Sequence, residues 1–282
     1  MAARRKSIRG RKPQDRFGLP HLKDSARSVL AWMGLDRSYR KIFAIGFNKT
    51  ATTSIDRVFA DAGLHANHST RWRSSSAWRD HLGYQAFSDG PPDDFRMLDR
   101  RFPRALFILN TRDLDAWMDS RIEHIRHLTT RGTHVDQPGW SLAPASLDSW
   151  VRNRNAHHLA VLDHFRDRPQ DLLVINFIRD ADAAARLSAF IGGPPVTEKP
   201  HAHPISARRD QSRIRNAAML AECFDRLGLP EDERQTDLWC PSLTPRRRGD
   251  WPADTSTLSW PPPDQPSQEG RDDTAIARPE SA

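Results

Sequence analysis

Cysteine is nearly missing from this chain, which has only Cys223 and Cys240. Two thiols build no disulfide framework, and neither falls in a Cys-x-x-Cys pair. A cystine-stapled secreted scaffold and a cysteine-held metal centre are therefore excluded, and a reducing, cytoplasmic setting is expected. Long apolar runs are missing as well. No stretch approaches the roughly eighteen residues that a membrane-spanning helix requires. The first residues, MAARRKSIRGRK, are basic but lead into no apolar segment of the kind that a secretory signal carries. No Gly-Lys pair occurs anywhere, which removes the ending of a Walker A loop, and no internal repeat is evident.

What is present is a chain of 282 residues, enough for one full α/β core with two tails. The formal charge of +7 would suit nucleic acid if it lay on one folded face, but much of it lies in the leader. No specific nucleic-acid partner is expected. Residues 1–40 read as a basic arm carrying Arg4, Arg5, Lys6, Arg9, Arg11 and Lys12, followed by an amphipathic piece from Leu22 to Leu35. A solvated arm with a helix docked on the body is the expectation; weak contact with an anionic membrane surface is the alternative left beside it. Residues 41–250 form the α/β body, and residues 251–282, rich in Pro and Asp, read as a disordered tail.

Within the body, apolar β-rich runs alternate with helical patterns. Ile42 to Ile45 precedes a helix over about 53–62, Ala105 to Leu109 precedes one over about 115–127, and Leu172 to Phe177 precedes one over 181–190. A longer helix, about 147–168, separates the second and third units. Strands that are each followed by a helix predict a parallel sheet with helices on both faces.

The first strand runs into Gly46-Phe47-Asn48-Lys49-Thr50-Ala51-Thr52-Thr53. A loop between a parallel strand and a helix can turn successive backbone N–H groups toward an anion, so this segment is a phosphate cradle. The second strand ends in Asn110-Thr111-Arg112-Asp113, and Ser120 follows on the next helix. Arg112 suits paired charge-assisted bonds to a second phosphate, or an ion pair with Asp113 or Asp115.

These two elements, in this order, resemble the P-loop sulfotransferases, in which a lysine precedes a Gly-Thr-Thr-like ending and an arginine is followed eight residues later by a serine. The resemblance extends from about Lys41 to His203. It includes YQAFSDGP, Phe102-Pro103, a segment HHLAVLDHFRDRPQDLLVINF similar to bacterial relatives, LSAFIGG and Pro200-His201-Ala202-His203. It implies a three-layer, P-loop-type α/β sheet and a sulfuryl donor, 3′-phosphoadenosine 5′-phosphosulfate (PAPS), with no metal required. Gly46, Asn48, Lys49, Thr50, Ala51, Thr52 and Thr53 would hold its 5′ end, and Arg112 and Ser120 its 3′-phosphate. Ala51 stands where the family usually has glycine; if that backbone needs a positive φ, the cost is on the order of 1 kcal/mol.

The implied reaction is sulfuryl transfer to a hydroxyl of a small-molecule, carbohydrate or lipid acceptor. Lys49 is the expected charge stabiliser and Asp89, at the end of a short strand, the expected base, with His65, His68, His81 and His124 as other bases. His201-x-His203 and His124-x-x-His127 are weak metal patterns. Trp72, Trp78, Trp117, Trp140 and Trp150 are either acceptor lining or core. Arg246-Arg247-Arg248-Gly249-Asp250-Trp251 is similar to a late cofactor segment of the family but reads first as a solvated basic run. An atypical P-loop kinase and a catalytically degenerate nucleotide-binding module remain the alternatives, and the sequence leaves the oligomeric state open.

Overall fold

In a computed structural model, residues 19–132, 140–196, 199–200, 207–244 and 251–258 are described, the side chains of 207–210 excepted. The alternating pattern folds as five short strands, β1 (Ile42–Ala44), β2 (Ala66–His68), β3 (Ala86–Ser88), β4 (Leu106–Asn110) and β5 (Leu172–Ile175). They pair in the order β2-β3-β1-β4-β5, and every pairing is parallel. The helices are α1 (Leu19–Trp32), α2 (Thr52–Asp61), α3 (Trp78–Gly83), α4 (Phe95–Arg101), α5 (Leu114–Thr130), α6 (Pro144–His164), α7 (Ala183–Phe190) and α8 (Ala207–Arg226).

The register explains why the strands read as continuous apolar runs. Ile42, Ala86 and Leu106 lie side by side, as do Phe43, Phe87 and Phe107 one residue on. The first set joins Ile55, Val58 and Phe59 of α2 and Ala183, Ala184 and Leu187 of α7 in one buried cluster. The second set joins Phe95 and Leu98 of α4 with Leu159 and Leu162 of α6 in another. Both faces of the sheet are covered, so every residue of β4 is buried. This is the expected three-layer α/β sheet. A third cluster, Leu114, Trp117, Ile122, Trp150, Phe224 and others, ties α5 to α6 and α8.

Some elements differ from the sequence pattern. The long helix begins three residues earlier than expected, at Pro144, whose missing N–H costs nothing in a first turn, and it ends at His164. Neither β2 nor α8 was expected: β2 is the three residues Ala-Asn-His, and the apolar positions of α8 gather near its end at Leu220, Cys223 and Phe224. Trp251 to Leu258, which the composition places in the tail, is packed. Leu238 N–H donates to Ala253 O (3.1 Å), Trp251 Nε1 to Asp163 Oδ1 (3.1 Å) and Arg179 Nη1 to Asp254 Oδ2 (2.8 Å). Residues 1–18, His201-x-His203, Arg246 to Asp250 and 259–282 lie outside the described residues. Among the described residues, both cysteines are free and buried, and no helix is long and apolar enough to cross a membrane.

Burial leaves several imidazoles uncharged. His158, wholly enclosed, donates from Nδ1 to Leu238 O (2.5 Å), and burial drives its pKa well below 6.5. His157 donates from Nε2 to Ile45 O (2.8 Å), and burial lowers it to about 4. His81 and His21 are lowered for the same reason. Each binds a proton in the unfolded chain near pH 6.5 but resists it when folded, so their contribution to stability is complete above pH 6.5 and is lost as pH falls through the lowered folded values, about 4 for His157. Melting temperatures measured by circular dichroism are therefore expected to fall steadily from pH 7 to pH 4. A flat profile over that interval would contradict the neutral buried histidines.

Candidate active site

The carboxyl ends of β1, β3 and β4 lie together because β1 sits between the other two, and in an open parallel sheet this is where ligands bind. The loop that leaves β1 is held by Asn110, the last residue of β4. Gly46 N–H donates to Asn110 Oδ1 (2.9 Å), and Asn110 Nδ2 donates to Thr50 Oγ1. The Thr50 hydroxyl in turn donates to Phe47 O. A Cβ on Gly46 would lie 2.0 Å from Asn110 O, so only glycine permits this approach.

Beyond Gly46 the backbone is unusual. Lys49 (φ 69°) and Ala51 (φ 66°) are left-handed, as is Asp89 (φ 94°) across the cleft. Among the described residues, three of the four non-glycine residues with positive φ thus lie in this one region, the fourth being Arg104. Strain of this kind gathers where backbone direction matters to a ligand. Helix α2 starts with Ala51 in the capping position and no side-chain cap, so its first N–H groups are left to an outside acceptor. Such a combination of backbone groups suits an anion.

The surrounding side chains are cationic. Arg112, 5% exposed, donates from Nη1 to Lys49 O (2.8 Å), which binds the end of β4 to the loop. Its own carbonyl is held by the buried Arg154 (2.9 Å), which donates also to Asp237 O (2.5 Å). On α5, Trp117 Nε1 donates to Asn48 O (3.0 Å) and Arg121 Nη1 to Asn48 Oδ1 (3.1 Å). The Arg121 guanidinium lies 4.4 Å from the centre of the Trp150 ring. Burial lowers the Arg121 pKa to about 10, and the charge of Arg73 adds to the effect. Burial likewise lowers Lys49; Asp89 opposes that shift, and Arg112 and Arg121 reinforce it. Asp89 is raised above the ordinary carboxylate range by burial, against the pull of His68, Arg73 and Lys49. Asp89 therefore interacts with Lys49, Arg73 and His68, while Lys49 also feels the charges of Arg112 and Arg121.

The structure thus brings together the loop 46–53, Asp89 and Arg112. Ser120 lies on α5 at i+3 from Trp117 and is half-buried. The Thr50 hydroxyl is used within the loop, and Asn48 accepts from Trp117 and Arg121 of α5. Among the histidines, His65 pairs with Asp24 (2.8 Å), and His81 donates to Trp72 O (2.6 Å), both away from the loop. His124 packs near Trp140. Of these four histidines, His68 is the one that reaches the loop, with Nε2 3.5 Å from Thr53 Oγ1 and Nδ1 2.8 Å from Ser88 Oγ. Trp72, Trp117 and Trp150 are buried in the core, whereas Trp78 is exposed.

Two site residues escaped the sequence reading. Arg73 closes a short 3-10 turn, Thr70–Arg73, whose Trp72 donates from Nε1 to Ser88 O (2.7 Å). Arg73 Nε donates to Pro91 O (2.8 Å), which sets the guanidinium beside Gly90 and Asp89. Arg121 directly follows Ser120, and that adjacency was the available signal. Arg73 lies in a turn with no periodicity to mark it. Among the described residues, no group of three His, Cys, Asp or Glu is placed to hold a metal ion.

Residues 41–173 match the family model described as a sulfotransferase domain. No curated protein sequence matches the chain. Among solved structures, the crystal structure of a sulfotransferase from Alicyclobacillus acidocaldarius is similar at 14% identity, covering 70% of this chain and 99% of that one, with a TM-score of 0.36.

The backbone geometry makes opposite forecasts for two neighbouring positions. Ala51→Gly relieves left-handed strain and is expected to stabilise the fold by roughly 0.5–1 kcal/mol, raising the melting temperature by about 1–4 °C. Gly46→Ala drives a methyl into the Asn110 carbonyl and is expected to cost on the order of 3 kcal/mol. Thermal and urea unfolding of the two variants check both signs.

Proposed function

We infer that this chain, which belongs to the sulfotransferase-domain family through residues 41–173, is an enzyme that transfers a sulfuryl group from PAPS to a hydroxyl of a small-molecule, carbohydrate or lipid acceptor. The observation that carries the finer reading is the position of Lys49. Its charge is attracted by Asp89 and repelled by Arg112 and Arg121, and its carbonyl accepts from Arg112 Nη1 (2.8 Å). A donor lying across the loop would have its phosphates toward the arginines and its transferable group toward the carboxylate.

The residues present fit such a donor. The uncapped start of α2 and the left-handed residues at 49 and 51 suit the 5′-phosphosulfate, held by the N–H groups from Asn48 to Thr53 and by the Thr52 and Thr53 hydroxyls. Arg112 and Ser120 suit the 3′-phosphate, and Arg121 adds a cation that sequence reading did not assign. When bound, PAPS would supply an activated sulfuryl group whose departure leaves charge on a phosphate oxygen. Lys49 stabilises that charge, and its shared field with Arg112 and Arg121 makes the stabilisation stronger in a partly dry site.

Asp89 supports the role of base. It directly follows the last residue of β3, burial raises its proton affinity, and Arg73 and Lys49 are among its charged neighbours. It takes the acceptor proton as the oxygen attacks, while Arg73 limits how far its pKa rises. His68, beside Thr53 and Ser88, is the imidazole placed to orient the same corner of the site.

Binding and turnover can be tested separately. Adenosine 3′,5′-bisphosphate without Mg²⁺ is expected to raise the melting temperature more than Mg-ATP does, and the reverse order would refute the PAPS reading in favour of a kinase. Lys49→Ala is expected to lower transfer of labelled sulfate into cell extract by about 10²–10³. Asp89→Asn is expected to lower it by about 10²–10⁴ with bisphosphate binding kept. In the wild type, turnover is expected to fall as acid protonates Asp89 above the ordinary carboxylate range, and the acid limb is expected to vanish in Asp89→Asn. Near-normal turnover of Asp89→Asn would give the base role to His68.

A further inference from the structure

Helix α1 is attached the wrong way round for an ordinary surface helix, which buries its apolar stripe and exposes its polar one. Its buried residues are His21, Asp24 and Ser28. Asp24 accepts from Tyr39 Oη (3.2 Å) and pairs with His65 Nδ1 (2.8 Å). Ser28 Oγ is 3.0 Å from Leu82 O, and Lys41 Nζ donates to the same carbonyl at 3.0 Å. The His21 ring fills the space over Gly83, where a Cβ would come within 1.9 Å of it. This polar seam fixes the rotation of the helix.

The consequence is an apolar face turned outward. Leu19, Leu22, Val29, Leu30 and Met33 recur at helical spacing along one side, with Trp32 at its edge. Leu22 is 64% exposed, Met33 58% and Trp32 70%. Burying side chains of this size is worth about 1.5–3 kcal/mol each, so a continuous exposed row of them marks a docking surface.

The charge around this face identifies its occupant. The eighteen residues before α1 carry seven basic side chains and one acidic, nearly the whole formal excess of +7 in the protein. Lys23 flanks the apolar row on the helix itself. An apolar helix face joined to a polybasic segment supplies the two signals needed for stable attachment to a lipid surface. We propose that the outward face of α1 docks this protein on an anionic bilayer, with the apolar row in the acyl boundary and the positive charge of the preceding sequence supplying the attraction to anionic headgroups.

The test uses the full chain and vesicles of phosphatidylcholine with or without phosphatidylglycerol. Co-sedimentation is expected only with the anionic vesicles and is expected to weaken with added salt. The triple variant Leu22→Gln, Leu30→Gln, Met33→Gln removes exposed apolar atoms alone. It is expected to bind at least about tenfold more weakly, at an unchanged melting temperature. Failure of the wild type to sediment with anionic vesicles would overturn the proposal, as would equal binding by the triple variant. A wild-type dimer in sedimentation velocity that the triple variant converts to monomer would assign the face to a second copy of the chain instead.

Discussion

The side-chain amide of Asn110 is the contact on which the site depends. It stands at the end of the central run of β4 and binds the loop from β1 at both ends of its first turn, accepting from Gly46 N–H and donating to the Thr50 hydroxyl. A glycine is required opposite it because no Cβ fits. Once that turn is fixed, Arg112, two residues further along the same strand end, reaches the Lys49 carbonyl. Two neighbouring strands therefore hold the loop in its strained form before any ligand arrives, and most of its ordering cost is met by folding.

The three-layer sheet was legible because a parallel strand covered on both faces must be apolar at every position. Ile42 to Ile45, Leu106 to Leu109 and Leu172 to Ile175 carry that signature at the correct separations from their helices. β2 was not legible. Ala66, Asn67 and His68 have no apolar run, and β3 alone gives them their place at the sheet edge. Helix α8 escaped for a related reason, since the charged half of its sequence hides an apolar stripe that serves only its last turns.

At the candidate site, residues that act through backbone position were the easiest to read. Gly46 to Thr53 could be recognised from their spacing, and the strain anticipated at Ala51 is present as a left-handed φ. Residues that act through charge at a distance were harder. Arg73 comes to Asp89 only because Trp72 anchors its turn to the end of β3, a contact sixteen residues apart in the chain. Nor could sequence alone rank the histidines. His65, His68 and His81 look alike on the page, and burial and partners separate them.

The packing of Trp251 to Leu258 carries a consequence for how the protein is made. Arg179, near the end of β5, is surrounded by Asp113, Asp180, Asp237 and Asp254, and Asp237 also accepts from Thr255 N–H (2.8 Å). Strands β1 to β5 emerge from a ribosome well before that last segment does. Until it arrives, the 237–239 stretch lacks the main-chain partner provided by Ala253. The shell around Arg179 therefore closes only once Ala253 to Thr255 have been made, and a chain cut short before them would keep the sheet's strands while leaving that flank open.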